Sequence, residues 1–393
     1  MKTSRNPVAA AIRVAGNLAY DRIARTRPTA LTEIPGSARQ ITPEWMTAVL
    51  CGSRPGVRVT GLDIVHRTLG THERCRIAVT YDKPVEAAGL PTHVFTKTLP
   101  SLTTRMLVGF MGHARYEMLF YKQIRPNVSI ETPVCYHSAS DKSTFAAIHV
   151  IEDLVASKSA SFADETTRLT KEQAFDMVEL LASLHGTFTE DARLSTDLKW
   201  LVNYHDWFTI GVERVRTDHY HAKALTAAAH VIPADVMVRR AEMWPATLEA
   251  LEIHRSGLRT VIHSDVHIGN WYVTGEGRMG LFDWQCINTG HWSRDVSYAL
   301  SSCLPIENRR AWERELLQRY IERIEQHTGR KLDWDESWRQ YSVQMLHALT
   351  MWTQTLCHPP FQPNSQRDEL TYELIRRITT AISDLKSLDN VRD

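Results

Sequence analysis

A chain of 393 residues exceeds what one hydrophobic core usually organises, so two lobes are expected. With 46 basic and 45 acidic residues the formal net charge is only +1. That excludes the strong overall field that gathers nucleic acid or an anionic membrane, and it favours a small or neutral partner. The six cysteines (Cys51, Cys75, Cys135, Cys286, Cys303 and Cys357) are widely spaced, without a C-x-x-C pair, and read as reduced thiols.

The N-terminal "PVAAAIRVAGNLAYDRIARTR" has an apolar run broken at Arg13 and no small-residue cleavage pattern, which argues against a signal peptide. Its arginines also suit an organelle-targeting segment; a surface helix is the reading adopted. No run approaches the roughly 18 apolar residues that span a bilayer. A cytoplasmic protein is expected.

Between Val57 and Ile151, β-branched and aromatic residues come in short runs, "VRVTGLDIV", "CRIAVTY", "HVFTKTL", "PVCYH" and "TFAAIHVI", divided by turn residues, and these predict strands. One helix interrupts them in "TTRMLVGFMGHARYEMLFYKQIRP", stopped by Pro126. Ala114, Glu117, Met118 and Tyr121 share one face of it, so Glu117 is an acid on an inward stripe. After the polar "IEDLVASKSASFADETTR" the pattern turns helical. "TKEQAFDMVELLASLHG" opens with a capping box, Thr170 and Gln173, and runs Ala174, Met177, Val178 and Leu181 down one side. "ENRRAWERELLQRYIERIEQH" and "DELTYELIRRITTAISDLKSL" are amphipathic helices, the first with alternating acids and bases that suit a solvated face. The fold class is therefore α+β: a small β-rich N-lobe with one key helix, residues 1–154, then a larger mainly helical C-lobe, residues 155–393.

The C-lobe carries one hairpin, in "VIHSDVHIGNWYVTGEGRMGLFDWQ", with a turn at Gly275-Glu276-Gly277. His263, Asp265, Asn270 and Asp283 stand there in the order and spacing of a phosphoryl-transfer site. In such a site the first Asp accepts the hydroxyl proton, and Asn and the second Asp hold Mg2+, a cation that takes few oxygen ligands from protein. Taken singly each is a turn or capping residue; together with the hairpin they point to chemistry.

"HSDVHIGN" and "LFDWQ" resemble the signature of the aminoglycoside phosphotransferase family and its ecdysteroid-kinase-like and choline-kinase-like relatives. "ITPEWMTAVL", "FTKTLP", "VIEDL", "LLASLHGTF" and "ENRRAWERELLQRY" extend the similarity over most of the chain. The resemblance implies a protein-kinase-like two-lobed fold and an ATP-dependent kinase acting on a small-molecule hydroxyl. It implies Asp265 as base, Asn270 and Asp283 as metal ligands, Lys97 on the ATP phosphates with Glu117 as its partner, and Glu152, Asp153 and Leu154 as a hinge whose backbone reads adenine. Gly70, in "LGTHERC", would lie in the phosphate-covering loop, and Asp295 would brace the catalytic loop, with an N-cap as its alternative role.

Departures are informative. The usual glycine before the catalytic Asp is Ser264, the segment after Asp283 is Trp284-Gln285 rather than Phe-Gly, and the phosphate loop has a single glycine. H-x-D-x-H also suits zinc, but no third ligand stands nearby and zinc would not explain Asn270 and Asp283. His263 is expected to hydrogen-bond the loop, His267 to orient it, and His185 to pack. Trp207, Trp244, Trp338 and Trp352 offer aromatic surface for a weakly charged or lipophilic acceptor, or else core. The expected partner is that acceptor alone, with no nucleic acid and no membrane, in a monomer or homodimer. Three alternatives stay open: a non-catalytic nucleotide-binding pseudokinase, an aminoglycoside or macrolide resistance kinase, and a protein kinase acting on other proteins, against which no A-P-E segment follows Asp283.

Overall fold

The structure is a computed structural model describing residues 7–23, 27–84, 89–109, 112–360, 362, 364 and 366–391. It divides into two compact units, Met1–Pro126 with Thr132–Ala160, and Asn127–Glu131 with Ser161–Asp393.

The first unit is built on an antiparallel sheet of β1 (Val59–Leu69), β2 (Glu73–Tyr81), β3 (His93–Thr98), β4 (Cys135–Ser140) and β5 (Ala147–Glu152), in the order β1-β2-β3-β5-β4. Each expected run is a strand. In β2 the period of two puts Glu73, Cys75, Ile77 and Val79 inward, whereas β5 is buried along its whole length between its two neighbours. The helix Pro43–Leu50 covers one face. Thr42 caps it by accepting from the Trp45 N–H at 3.0 Å, and Trp45, Met46 and Leu50 pack with Ile77, Val79, Val94, Ile148 and Val150.

The helix expected within 103–126 is divided. A π-helical turn, Arg105–Gly109, precedes Gly112, whose φ of +83° ends one path and starts another, and His113–Leu119 follows. Positions 110 and 111 lie outside the described residues. Ala114, Glu117 and Tyr121 are buried as the periodicity requires, while Met118 is only partly so.

The second unit is mainly helical. Lys171–Phe188 begins with the expected capping box: Thr170 Oγ1 accepts from the Gln173 N–H (3.2 Å) and Gln173 Oε1 from the Thr170 N–H (2.9 Å). Its Ala174, Met177, Val178 and Leu181 are fully buried, and it packs on Ile306–Thr328. Ser293–Cys303 is buried along its length, contacted by Ile306–Thr328, Trp334–Val343, Met345–Leu356 and Asp368–Asp384. Short strands complete the unit: β6 (Ser161–Phe162), β7 (Thr260–Ile262), β8 (Trp271–Val273), β9 (Met279–Leu281) and β10 (Asn288–Gly290). β6, β8 and β9 form one sheet, β10 and β7 another.

The β8–β9 hairpin has the expected turn, with Gly277 at φ +83° and its N–H donating to Thr274 O at 2.8 Å. Asp176 anchors it to Lys171–Phe188, accepting from Arg278 Nε and Nη2 (both 2.9 Å) and from the Met279 N–H (2.7 Å). Among the described residues no helix is long and apolar enough to cross a membrane, and none of the six cysteines is in a disulfide.

Gly280 lies opposite Tyr272, and a Cβ at Gly280 would collide with that ring. Gly280→Ala is expected to cost about 1–3 kcal/mol, read as a lower urea midpoint. An unchanged midpoint would show that the hairpin does not need this close approach.

Candidate active site

The segment that leaves β7 turns at Ser264, whose φ of +69° lies in the left-handed region that side chains disfavour. A buried carboxylate holds this turn. Asp295 Oδ2 accepts from the His263 N–H at 2.6 Å and Oδ1 from the Ser264 N–H at 2.9 Å. Trp292, not Asp295, is the N-cap of Ser293–Cys303, so the carboxylate acts as the loop brace.

Asp295 is itself supported by His185, whose Nε2 lies 3.3 Å away and whose Nδ1 meets the Tyr320 hydroxyl at 2.7 Å. His185 was expected only to pack; it is a polar link of the core. Burial opposes ionisation of Asp295, yet the hydrogen bond and charge of His185 and the nearby Arg294 hold its pKa below the ordinary carboxylate value.

Arg294, fully buried, donates from Nη2 to Ser264 O at 3.1 Å and lies over the Tyr298 and Tyr204 rings at 4.6 and 5.1 Å. Around it are histidines kept neutral by burial. His347 and His291 are pushed down to about 3, and His254, which accepts from the His291 N–H at 3.1 Å, lies well below its ordinary value.

His263 ties the loop to the hairpin. Its Nδ1 accepts from the Asp265 N–H (3.2 Å), so Nε2 carries the proton and donates to Phe282 O (3.0 Å). It is fully buried, which pushes its pKa down, and with both ring nitrogens engaged it positions the loop rather than meeting a substrate.

Asn270 Nδ2 donates to Asp265 O (2.7 Å) and to Asp265 Oδ2 (3.1 Å). With its nitrogen committed, the amide presents Oδ1 as its remaining acceptor. The Phe282 N–H donates to Asn270 O (3.1 Å), and the β8–β9 register, Trp271 opposite Leu281, brings Asn270 beside the residue preceding Asp283. Asp283 has φ +66°, a conformation Asp tolerates better than most side chains. An amide oxygen and a carboxylate form the sparse oxygen set that suits Mg2+, which draws most of its ligands from water and phosphate. Among the described residues no group of three His, Cys, Asp or Glu is placed to hold a metal without such help.

His267 caps the turn Ile268–Asn270 through Nδ1, which accepts from the Gly269 N–H (3.1 Å). Its Nε2 stands 3.8 Å from Asp265 Oδ2, and its ring meets Trp352 edge-on at 5.2 Å.

The other expected residues lie in the first unit. Lys97 Nζ donates to Glu117 Oε2 at 2.7 Å, both side chains buried. Lys97 pairs across the sheet with His149, a fully buried histidine that sequence reasoning passed over. Its Nε2 is 3.9 Å from the same carboxylate oxygen and its Nδ1 2.7 Å from Ser138 Oγ. A histidine inside the apolar run "TFAAIHVI" was the available signal.

Glu152 and Asp153 use their side chains locally. Glu152 accepts from the Val134 N–H and Ser157 Oγ, and Asp153 from Arg76 Nε and the Val155 and Ala156 N–H groups. The Glu152 N–H donates to Val134 O, while Asp153 O and Leu154 O accept from the Ser157 and Ala160 N–H groups. Gly70, in the β1–β2 turn, has no left-handed φ, and a Cβ there would come no nearer than 3.7 Å, to Arg74 Nη1.

All four tryptophans pack against other side chains, though only one is fully covered. Trp352 is buried, Trp207 and Trp244 stack on Tyr204 and Phe208, and Trp338 stacks on Trp334 beneath Arg314.

Two outcomes are expected. Ser264→Gly should be tolerated, whereas Ser264→Val should lose roughly 1–2 kcal/mol of stability, because a β-branched residue resists the left-handed turn. An equal denaturant midpoint for both would argue against a strained turn. Secondly, His221 (about 4), His291 and His347 are neutral when folded but gain protons below about pH 6.5 when unfolded. Unfolding free energy should therefore fall as pH drops from about 6.5 towards those folded values, with Asp295 adding its loss only below about 4. Urea midpoints at about pH 7.5 and about pH 5 check this; equal midpoints would contradict it.

No curated protein sequence matches the chain. Among solved structures it is similar to the choline kinase LicA from Streptococcus pneumoniae (13% identity, 86% of this chain and 98% of that one, TM-score 0.45). It is also similar to the macrolide 2'-phosphotransferase MphH from Brachybacterium faecium (14%, 78% and 92%, 0.43) and to a GDP complex of aminoglycoside 2'-phosphotransferase-IIIa (9%, 88% and 99%, 0.49). The model of the phosphotransferase enzyme family matches residues 113–336, a span that holds Glu117, the loop 263–270, Asp283 and Asp295 and leaves Lys97 outside. The chain belongs to the phosphotransferase enzyme family.

Proposed function

We propose that the protein transfers the γ-phosphoryl group of ATP to a hydroxyl of a small molecule, in the cytoplasm. The observation that carries this reading is the coupling of Asp265 to Asn270: one amide nitrogen fixes the carboxylate and, by being fixed, leaves its oxygen as the available ligand. Asp265 takes the proton of the acceptor alcohol as the new O–P bond forms and the bond to the ADP oxygen breaks. Asn270 Oδ1 and the Asp283 carboxylate are the residues that would hold Mg2+. When bound, that ion neutralises charge on the transferring phosphoryl group. Lys97, aligned by Glu117, binds the nucleotide phosphates. Catalysis then consists of positioning and electrostatic stabilisation.

A non-catalytic nucleotide binder is the second reading, favoured by the β1–β2 turn, where the lone Gly70 has neither a left-handed φ nor a tight contact that would require glycine.

Asp265→Asn should reduce product formation by at least about a hundredfold while Mg-ATP still raises the thermal midpoint. A full-rate variant removes the base assignment. Asp283→Asn should instead lose the magnesium dependence of that nucleotide shift. The acceptor is identified by incubating wild-type enzyme and ATP with hydroxylated metabolites and antibiotics, and reading the mass gain of one phosphoryl group. Failure of every alcohol in a broad panel to elicit ATP consumption would favour the second reading.

A further inference from the structure

The near-neutral total charge conceals an uneven distribution. The first 27 residues contain Lys2, Arg5, Arg13, Arg22, Arg25 and Arg27 against a single acid, Asp21. The helix Pro7–Ile23 occupies most of this segment.

One side of that helix is committed to the first unit. Ala10 and Val14 are fully buried and pack with Leu18, Phe145 and Met106. On the same side, Arg105 donates from Nη1 to Asn17 Oδ1 (2.6 Å), and its Nη2 stands 3.9 Å from Asp21 Oδ2. Arg105 is fully buried and also donates from Nε to Leu99 O (2.9 Å). A buried guanidinium requires a counter-charge, so the segment's only acid is drawn inward.

The opposite side faces solvent. Ile12, Tyr20 and Ile23 are 68%, 64% and 84% exposed. At helical spacing they share one continuous sector with Ala15, Gly16 and Ala19. Arg13, itself exposed, borders that sector on one edge. An apolar stripe edged by Arg13, in a segment of strong basic excess and on a helix already anchored by its other face, is suited to lie in a lipid headgroup interface. A second copy of the same helix is disfavoured as occupant, because it would bring two strongly basic segments together.

We propose that the outer face of Pro7–Ile23 docks on an anionic phospholipid surface. Ile12, Tyr20 and Ile23 enter the boundary between headgroups and acyl chains, and Arg13 meets lipid phosphate. The chemistry at Asp265 does not require this contact; its consequence is to place the enzyme at a membrane surface.

The test is co-sedimentation of the full chain with vesicles of phosphatidylcholine alone and of phosphatidylcholine containing about one third phosphatidylglycerol. Binding is expected to the anionic vesicles only, falling steeply between about 0.05 and about 0.5 M salt. Ile12→Asp and Ile23→Asp should each weaken partitioning by about tenfold, and Arg13→Gln by roughly fivefold. Because Ile12, Ile23 and Arg13 are exposed, the variants should keep the parent's thermal midpoint, which separates loss of docking from loss of fold. Equal binding to both vesicles, or to neither, overturns the proposal. So does a dimer, seen by sedimentation velocity, that Ile12→Asp dissociates while vesicle binding is absent.

Discussion

A single carboxylate buried in the second unit receives two consecutive peptide N–H groups, those of His263 and Ser264. Two successive amides can converge on one carboxylate only if the chain turns sharply between them, and the left-handed φ at Ser264 is that turn. Asp295 thus sets the direction in which the next residue, Asp265, leaves the backbone. The cost of burying the charge is met by His185 and, behind it, Tyr320. Arg294 reinforces the arrangement from the same helix by binding the Ser264 carbonyl, so adjacent residues of opposite charge grip opposite polar groups of the loop.

Two unfavourable backbone conformations, at Ser264 and Asp283, stand at the two ends of this site, and His263 bonds to the chain at both. Its neutral ring accepts from one peptide and donates to another. A protonated ring would lose the first bond, so burial, which keeps it neutral, is part of the geometry. Such strain is sustained only where surrounding contacts over-determine it. Groups fixed in this manner need little reorganisation when charge moves.

The first unit has its own buried ionic centre. Lys97 and Glu117 come from a strand and a helix separated by the broken segment around Gly112, and their 2.7 Å contact fixes the ammonium within a sheet of apolar side chains. His149, opposite Lys97 on β5, adds a third polar group to the same spot. Arg105 shows the same economy at the N-terminal helix, where one buried cation orders Asn17, Asp21 and the Leu99 carbonyl.

Much of this was legible residue by residue. The period of two in β2, the Thr170–Gln173 capping box, the glycine turn of the hairpin and the inward place of Glu117 are local rules, satisfied within a few positions of chain. The group Asp265, Asn270 and Asp283 was readable for the same reason, since a loop and a hairpin hold all three. The structure alone revealed that His185 reaches Tyr320 and Asp295, that Arg294 supports Ser264, that His149 joins Glu117, and that of the four tryptophans Trp352 is buried while the other three are half-buried. Those partners are dozens of residues apart or more, or depend on which face of an element is covered. Periodicity tells which residues turn inward together; it carries no information on which distant group they meet there, and only chain packing settles that.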